Sequence, residues 1–152
     1  MKLIAHRGNI FGPNSSKENN PEYIDEAIKL GYDVEIDVRI IENQLYLGHD
    51  EPQYKVSMLW VVHRKDSLWI HCKDLNSLEN FSSSPIDFNC FWHQEDDFTL
   101  TTKKIIWTYP GKLHTLKSVI VMPENNIPRD KLKDLATLSC YGICSDYVGE
   151  IN

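Results

Sequence analysis

The segment Val34-Glu35-Ile36-Asp37-Val38 constrains the fold more than any other part of the chain. Two carboxylates alternate with three β-branched residues, and because side chains alternate along a strand, Glu35 and Asp37 should share one face. The run Ile4-Ala5-His6-Arg7-Gly8 also ends in polar residues, and Leu47-Gly48-His49-Asp50 follows the acidic strand. Such runs predict a parallel sheet or barrel whose carboxyl rim gathers the polar residues around one point.

The residue types at these strand ends are those that metal-assisted phosphoryl transfer needs. Hard divalent cations take carboxylate oxygens, which Glu35 and Asp37 supply, and the planar guanidinium of Arg7 suits a phosphate. Cleavage of a P–O bond near neutral pH needs a proton donor and a proton acceptor, and the two histidines, His6 and His49, can fill these roles. A solvated acidic face on an edge strand is the alternative interpretation of the carboxylates.

The order and spacing of these motifs resemble the glycerophosphodiester phosphodiesterase family, which has an HRG strand end, an ExD strand end and a later HD. Three further segments resemble the family's PENT-like segment, its ExK strand and its closing GxxTD strand; they are Lys17-Glu18-Asn19-Asn20, Trp69-Ile70-His71-Cys72-Lys73 and Gly142-Ile143-Cys144-Ser145-Asp146. The residues between Lys73 and Gly142 match poorly. A typical member of the family is considerably longer, so the resemblance implies shortened or lost elements in this middle part.

The resemblance also implies roles for individual residues. His6 and His49 would form the acid/base pair, and Arg7 and Lys73 would bind the phosphate. Glu35 and Asp37 would hold a divalent metal cation, Mg²⁺, Ca²⁺ or Mn²⁺. The third metal position, usually a carboxylate, is occupied here by His71, and a nitrogen ligand shifts preference toward softer ions. A rim position for His71 that does not touch metal is the alternative.

A second cluster is not explained by the family pattern. It combines aromatic and amide side chains at strand ends that should open on the same rim: Asn89, Phe91, Trp92, His93, Gln94, Asp96, Asp97, Trp107, Thr108 and Tyr109. Ring faces that stack and polar groups that bond hydroxyls suit a polyol or sugar, with His93 and Trp107 as substrate-binding candidates. A core-filling role for the tryptophans is equally compatible with the pattern.

Length and periodicity together predict one compact α/β domain over residues 1–152. The chain has 152 residues, whereas a full TIM barrel usually has about 250. Seven strands are expected at 2–5, 33–38, 68–72, 88–92, 105–107, 119–122 and 141–144, with a short hairpin arm at 45–47, and helices at 21–30, 75–81 and 130–138. The segment 56–62 fits either type. We therefore expect an incomplete or seven-stranded TIM-like barrel.

Composition limits the partners. The net charge of −6 and the absence of a Lys/Arg-rich run argue against a nucleic-acid groove. No apolar run is long enough for a membrane span, and no signal-peptide pattern occurs at the start, so a cytoplasmic location is expected. The spacing of the four cysteines gives no CxxC pair, and buried reduced thiols are the expectation.

These observations lead to one main functional hypothesis and two alternatives. The main hypothesis is a metal-dependent phosphoric diester hydrolase that acts on a small phosphodiester containing glycerol or another polyol. A lyase-type reaction that yields a cyclic phosphate is one alternative, because venom phospholipases D share the HRG and ExD features. A pseudoenzyme that binds a polyol phosphate without turnover is the other. The natural alcohol and the oligomeric state do not follow from the sequence.

Overall fold

The computed structural model describes residues 1–151 and shows a curled mixed β-sheet with helices on its outer face. The strands are β1 (Lys2–His6), β2 (Asp33–Ile41), β3 (Gln44–Leu47), β4 (Tyr54–Val56), β5 (Leu68–Cys72), β6 (Cys90–Phe91), β7 (Phe98–Leu100), β8 (Ile106–Thr108), β9 (Ser118–Val121) and β10 (Gly142–Ser145). The helices are α1 (Pro21–Lys29), α2 (Met58–Val62) and α3 (Leu75–Ser82). Three 3₁₀ helices span Pro123–Asn125, Arg129–Thr137 and Val148–Glu150.

Seven of the strands are parallel and follow one another around the sheet in the order β6-β5-β2-β1-β10-β9-β8. Strand β1 is central, because Ile4 pairs with Asp33 of β2 on one side and with Cys144 of β10 on the other. The hairpin arms β3 and β4 extend the sheet antiparallel from β2, and β7 pairs antiparallel with β8. The carboxyl ends of the parallel strands therefore meet at one rim.

Alternation along the strands separates two apolar layers. On the outer face, Val34 and Ile36 of β2 pack with Ile24 and Ala27 of α1 and with Phe81 of α3. The inner face carries a second cluster that consists largely of β-branched and aromatic side chains: Ile4, Trp69, Phe91, Ile105, Trp107, Val119, Val121 and Cys144. This inner cluster fills the space beneath the rim and forms a floor for polar residues two positions farther along the strands, such as His6 after Ile4 and His71 after Trp69.

The sheet is a curled half-barrel, and a complete TIM barrel is not shown. Within residues 1–151 no strand ladder joins β6 to β8. Thr102 bridges this seam: its backbone N–H donates to Cys90 O at 2.9 Å, its hydroxyl donates to Phe88 O at 2.6 Å, and Cys90 N donates to that hydroxyl at 3.0 Å. The Thr99 hydroxyl adds a bond to Trp92 O at 2.8 Å.

Three expectations from the sequence needed correction or completion. The helix expected at 130–138 is a 3₁₀ helix, Arg129–Thr137, whose buried residues Leu132 and Leu135 are three apart, the spacing that aligns side chains in this tighter helix. The ambiguous segment 56–62 divides at Ser57, whose hydroxyl caps α2. Strands β4 and β7 were not expected, because each has three residues with a polar one in the middle, Lys55 or Thr99, and so contains no apolar run.

The described chain contains no helix of the length and apolar character that a membrane crossing requires. All four cysteines are free thiols, of which Cys72, Cys90 and Cys144 are buried.

The hydrogen bonds of Thr102 across the seam between β6 and β8 lead to a prediction about stability. Thr102→Val removes one hydroxyl that serves both Phe88 O and Cys90 N, and we expect the free energy of unfolding to fall by about 1–2 kcal/mol. Urea denaturation followed by tryptophan fluorescence measures the change. Thr137→Val is the matched control, because its hydroxyl bonds only Asp134 O within the 3₁₀ helix. Equal effects of the two substitutions would contradict a special role for the seam.

Candidate active site

Two buried carboxylates lie side by side at the rim end of β2. Glu35 is 2% exposed and Asp37 is fully buried. They share the inner face with His6 of β1 and His71 of β5, because Glu35 is in register with His6 and Asp37 with His71. Adjacent carboxylates in the interior repel each other and lose hydration, so the surroundings must supply positive charge and hydrogen bonds.

Two residues of the loop between β1 and α1, Arg7 and Asn19, compensate the charge of Asp37. Arg7 Nε lies 3.0 Å from Asp37 Oδ2. Asn19 pairs reciprocally with the same residue, since its side-chain amide donates to Oδ2 at 2.9 Å and its oxygen accepts from Asp37 N at 2.9 Å. Burial alone would raise the pKa of Asp37, but His71, Arg7 and Asn19 hold it well below its usual range. Asp37 is therefore an anion in the folded protein.

His71 has a defined orientation that points one nitrogen at both carboxylates. Its Nε2 lies 3.0 Å from His93 O, and because a carbonyl can only accept, Nε2 carries a proton. The other nitrogen, Nδ1, lies 3.2 Å from Asp37 Oδ1 and 3.6 Å from Glu35 Oε1. In a neutral ring Nδ1 would present a lone pair to two carboxylates. A proton or a metal cation must therefore lie between them.

The protonated form of His71 is stable without metal. Burial alone would lower the pKa of His71, but its interactions with Asp37 and Glu35 raise that pKa to about 9. The ring also stacks on Phe91, with centroids 5.0 Å apart and planes inclined by 10°. Its position is thus fixed by a carbonyl on one side, an aromatic face on another and the carboxylates in front.

Glu35, Asp37 and His71 also fit a divalent cation. Each offers one ligand atom, and these atoms all lie within 4.8 Å of one another. Asp37 Oδ1 is shut off from solvent, and its contacts with His71 Nδ1 at 3.2 Å and Lys73 Nζ at 3.8 Å are ion pairs without hydrogen-bond geometry. A buried carboxylate oxygen without a hydrogen bond is costly, and a cation at this point would satisfy it.

His6 is paired with an aspartate from the opposite end of the chain. His6 Nδ1 lies 2.8 Å from Asp146 Oδ1, and Asn9 donates to the same oxygen at 2.8 Å. The other ring nitrogen, Nε2, lies 3.9 Å from Glu35 Oε2. Burial lowers the pKa of His6, but the hydrogen bond to Asp146 and the charge of Glu35 outweigh it, so the pKa is raised.

His49 approaches the rim from the turn after β3. Its Nδ1 lies 2.7 Å from Asp50 Oδ1, and the side chain is about one-third exposed, at 36%. Hydrogen bonding to His49 lowers the pKa of Asp50. Both predicted histidines therefore engage an aspartate through Nδ1, one buried and one at the surface.

The two predicted phosphate-binding cations are on the same rim. Arg7 is held by Asp37 and by Glu18, whose Oε2 accepts from Arg7 Nη1 at 3.0 Å. Lys73 Nζ lies 3.8 Å from Asp37 Oδ1. Arg7 adopts a left-handed backbone conformation with φ of 52°, which turns the chain sharply at the strand end before Gly8. Both side chains remain partly accessible.

A cleft of about 730 Å³ opens above these residues. Its lining includes almost the whole predicted set, namely His6, Arg7, Glu35, His49, His71, Lys73, His93 and Trp107. Asp37 lies behind the wall that Arg7 and His71 form. The structure thus brings the nine predicted residues to one place.

The far side of the cleft includes five residues of the second sequence cluster: His93, Gln94, Asp96, Trp107 and Tyr109. The expectation that the whole cluster opens on this rim was wrong, because Asn89, Phe91, Trp92, Asp97 and Thr108 do not line the cleft. Trp107 is mostly a core residue, 4% exposed, with its ring 4.6 Å from Phe91. His93 lies against Tyr109 at 5.6 Å, and neither of its ring nitrogens has a hydrogen-bond partner among the described residues. Burial and the charge of His71 lower the pKa of His93.

Sequence reasoning had not assigned site roles to three residues that organise this rim. Asp146 lies at the end of the segment that resembles a closing strand, and Asn19 lies in the PENT-like segment, so the family resemblance carried a signal for both. Glu124 accepts hydrogen bonds from the Ser145 hydroxyl at 2.9 Å and from Asp146 N at 2.8 Å. No motif pointed to Glu124.

Comparison of the chain with protein-family models, with curated proteins and with solved structures finds no match.

The charge on His71 predicts a pH dependence of stability without metal. A pKa raised from 6.5 to about 9 means that the folded state binds the proton more tightly. This stabilisation is fully present below pH 6.5 and is lost as the pH rises toward 9. We expect urea midpoints in excess chelator to fall over this range and the fall to be smaller in His71→Gln. His63→Gln, at an exposed histidine, is the control. An equally steep fall in His71→Gln would contradict the assignment.

Proposed function

We propose that this protein is a metal-dependent phosphoric diester hydrolase whose substrate is a small phosphodiester of glycerol or another polyol. The observation that carries the proposal is the convergence of a buried Glu35, Asp37 and His71 cluster with His6 and His49 on one cleft. A cation-binding cluster or a histidine pair alone is common in proteins. Their presence together, with Arg7 and Lys73 between them, matches what cleavage of a phosphodiester requires.

The three residues of the cluster would hold a divalent cation, which on binding would neutralise charge on the phosphate and polarise its oxygens. Arg7 and Lys73 would bind the remaining phosphate oxygens. Because Arg7 is oriented by Glu18 and Asp37 before substrate arrives, little side-chain freedom would be lost on binding. The net charge of the chain, −6, does not prevent this, since local cations dominate the field in the cleft.

The two histidines would move the protons. A hydroxyl of the substrate next to the phosphate attacks phosphorus, and its proton passes to one histidine while the other gives a proton to the departing alcohol. The bond that forms is O–P within the substrate and the bond that breaks is P–O to the leaving alcohol. The product of this step is a cyclic phosphate. Water then opens it in a hydrolase, whereas a lyase-type enzyme would release it.

The far wall of the cleft supports a polyol as the alcohol. His93, Gln94, Asp96 and Asn125 offer hydrogen-bonding groups beside the ring of Tyr109. Such a combination of ring faces and polar groups is typical of sites that bind hydroxylated ligands. The charges of Glu95 and Asp96 would disfavour an alcohol that carries a second anionic group.

We further propose that the half-barrel is a reduced relative of the TIM-like phosphodiesterase barrel. The seven parallel strands follow the sequential order of such a barrel, and all candidate residues lie at its carboxyl rim.

We also propose a cytoplasmic location, which is supported by the four free cysteines. No nucleic-acid partner is proposed, because the cleft carries carboxylates as well as cations.

A binding protein without turnover is the alternative. The observation that favours it is the engagement of Arg7 by both Glu18 and Asp37, which leaves fewer donors for a phosphate. The two functions are separated by measuring turnover of bis(p-nitrophenyl) phosphate and of glycerophosphodiesters in a series of divalent ions. Binding of sn-glycerol 3-phosphate without any turnover would support the binding protein.

The histidine pair provides the first test of the enzyme hypothesis. Because a general acid or base contributes about 10²- to 10⁴-fold, His6→Ala and His49→Ala should each lower kcat by that factor. His49 is partly exposed, so its variant should keep the wild-type melting temperature. His114→Ala, at an exposed histidine outside the cleft, is the control. A wild-type kcat in either cleft variant would show that the acid/base assignment is wrong.

Metal binding provides a second and independent test. Excess chelator should abolish turnover and lower the melting temperature, because binding of a ligand to the folded state alone stabilises it. His71→Glu should restore three carboxylates and shift the affinity ranking toward Mg²⁺ and Ca²⁺ and away from Zn²⁺ and Co²⁺. Calorimetric titration of both proteins with each ion measures the ranking. An unchanged ranking would show that His71 is not a ligand, and unchanged melting in chelator would contradict the metal site.

A further inference from the structure

Arg39 lies on the same strand and the same face as the two site carboxylates but has no role in the cleft itself. It follows Asp37 by two residues in β2 and pairs with Tyr46 in the antiparallel hairpin that leads to His49. Its Nη2 donates to the backbone carbonyl of His49 at 2.6 Å. This short bond from a guanidinium connects the acidic strand directly to the turn that carries a proposed catalytic histidine.

The turn after β3 has little else to hold it. Gly48 N donates to Asp37 O at 3.0 Å and Gln53 N donates to Leu47 O at 2.9 Å, which fix the two ends of the turn. Within residues 1–151, Arg39 provides the one side-chain hydrogen bond to the backbone of His49. The imidazole itself bonds Asp50, whose side chain is 90% exposed and so provides no rigid anchor.

The shape of the turn explains why the hydrogen bond from Arg39 to His49 O is important. Gly48 has φ of 148°, and a Cβ at this position would lie 2.0 Å from Glu51 O. The chain therefore folds back tightly on itself directly before His49. The orientation of the peptide group after His49 also depends on two soft dihedral angles, ψ of His49 and φ of Asp50. The bond from Arg39 removes that freedom.

We infer that Arg39 is a positioning residue that sets the orientation of His49 over the cleft by holding its carbonyl. Displacement of a catalytic group by about 1 Å can cost about 10²-fold in rate, so one hydrogen bond at this position has a large effect on turnover. The kinetic part of this inference rests on the proposed function. The structural part, that Arg39 orders the turn, does not.

The experiment compares Arg39→Met, Arg39→Lys and Arg64→Met with the wild type. Arg64 is the control, because its Nη1 also donates to a backbone carbonyl, that of Trp60 at 3.0 Å, outside the cleft. Arg64 also forms an ion pair with Asp25, so its substitution removes more contacts than that of Arg39 and is a demanding control. Hydrogen exchange of the Gly48 and Gln53 amides, measured by NMR, reports the order of the turn without reference to activity. We expect Arg39→Met to speed exchange of both amides by about tenfold or more, and Arg64→Met to leave them unchanged.

In the kinetic measurements, Arg39→Met should lower kcat by about 10- to 100-fold. Its KM should stay within a factor of about three of the wild-type value, because the phosphate-binding residues are unchanged. Arg39→Lys keeps a hydrogen-bond donor and should recover part of the lost kcat and part of the lost amide protection. If Arg39→Met fails to fold, Arg39→Lys still tests the inference. Wild-type exchange at Gly48 and Gln53 in the Arg39 variants would overturn the inference. Altered exchange in a protein without any turnover would uphold the ordering role and contradict only the proposed function.

Discussion

The whole rim is organised around two carboxylates that the sheet forces into its interior. Glu35 and Asp37 alternate with aliphatic residues that must pack outward against helices, so both acids have to point inward. Two uncompensated negative charges there would destabilise the fold severely. Arg7, Asn19 and His71 converge on them for this electrostatic reason. The same compensation produces a polarised cleft, so the stability of the apo protein and its proposed chemistry come from one set of contacts.

His71 shows how closely these two roles are linked. In a site of three carboxylates, loss of the cation leaves strong repulsion, whereas a protonated imidazole can act as the cation itself. His93 O keeps the ring in the orientation that suits either occupant. The proposed metal ion and a proton on His71 would thus be alternative partners for Glu35 and Asp37.

The sequence was sufficient to predict the parts of the structure that depend on local pattern. Alternation located β1, β2 and β5, and the residue types at their ends placed His6, Glu35, Asp37 and His71 at one rim. Interactions between distant segments were harder to predict. The contact of Asp146 with His6 joins residues 140 positions apart, and only a resemblance to a closing strand hinted at it. Glu124 acts through backbone and hydroxyl groups that no pattern reveals.

The fold itself was predictable in class but not in closure. An α/β sheet with parallel strands follows from the alternating pattern, yet the antiparallel strand β7 and the threonine bonds of the seam depend on individual side chains. Thr99 and Thr102 look like ordinary polar residues in a short, mixed segment. Trp107 illustrates a similar ambiguity, since the same indole packs on Phe91 in the core and borders the cleft.

The central position of β1 has a consequence for how the chain is made. Lys2 and Ala5 pair with Gly142 and Ser145, so one edge of β1 finds its neighbour only after residue 145 has been synthesised. Until then β1 has β2 on one side and an open edge on the other, and open edges can pair with foreign strands. Contacts of such high sequence separation also form slowly. All nine candidate site residues are therefore synthesised before the sheet can be completed on this side of β1.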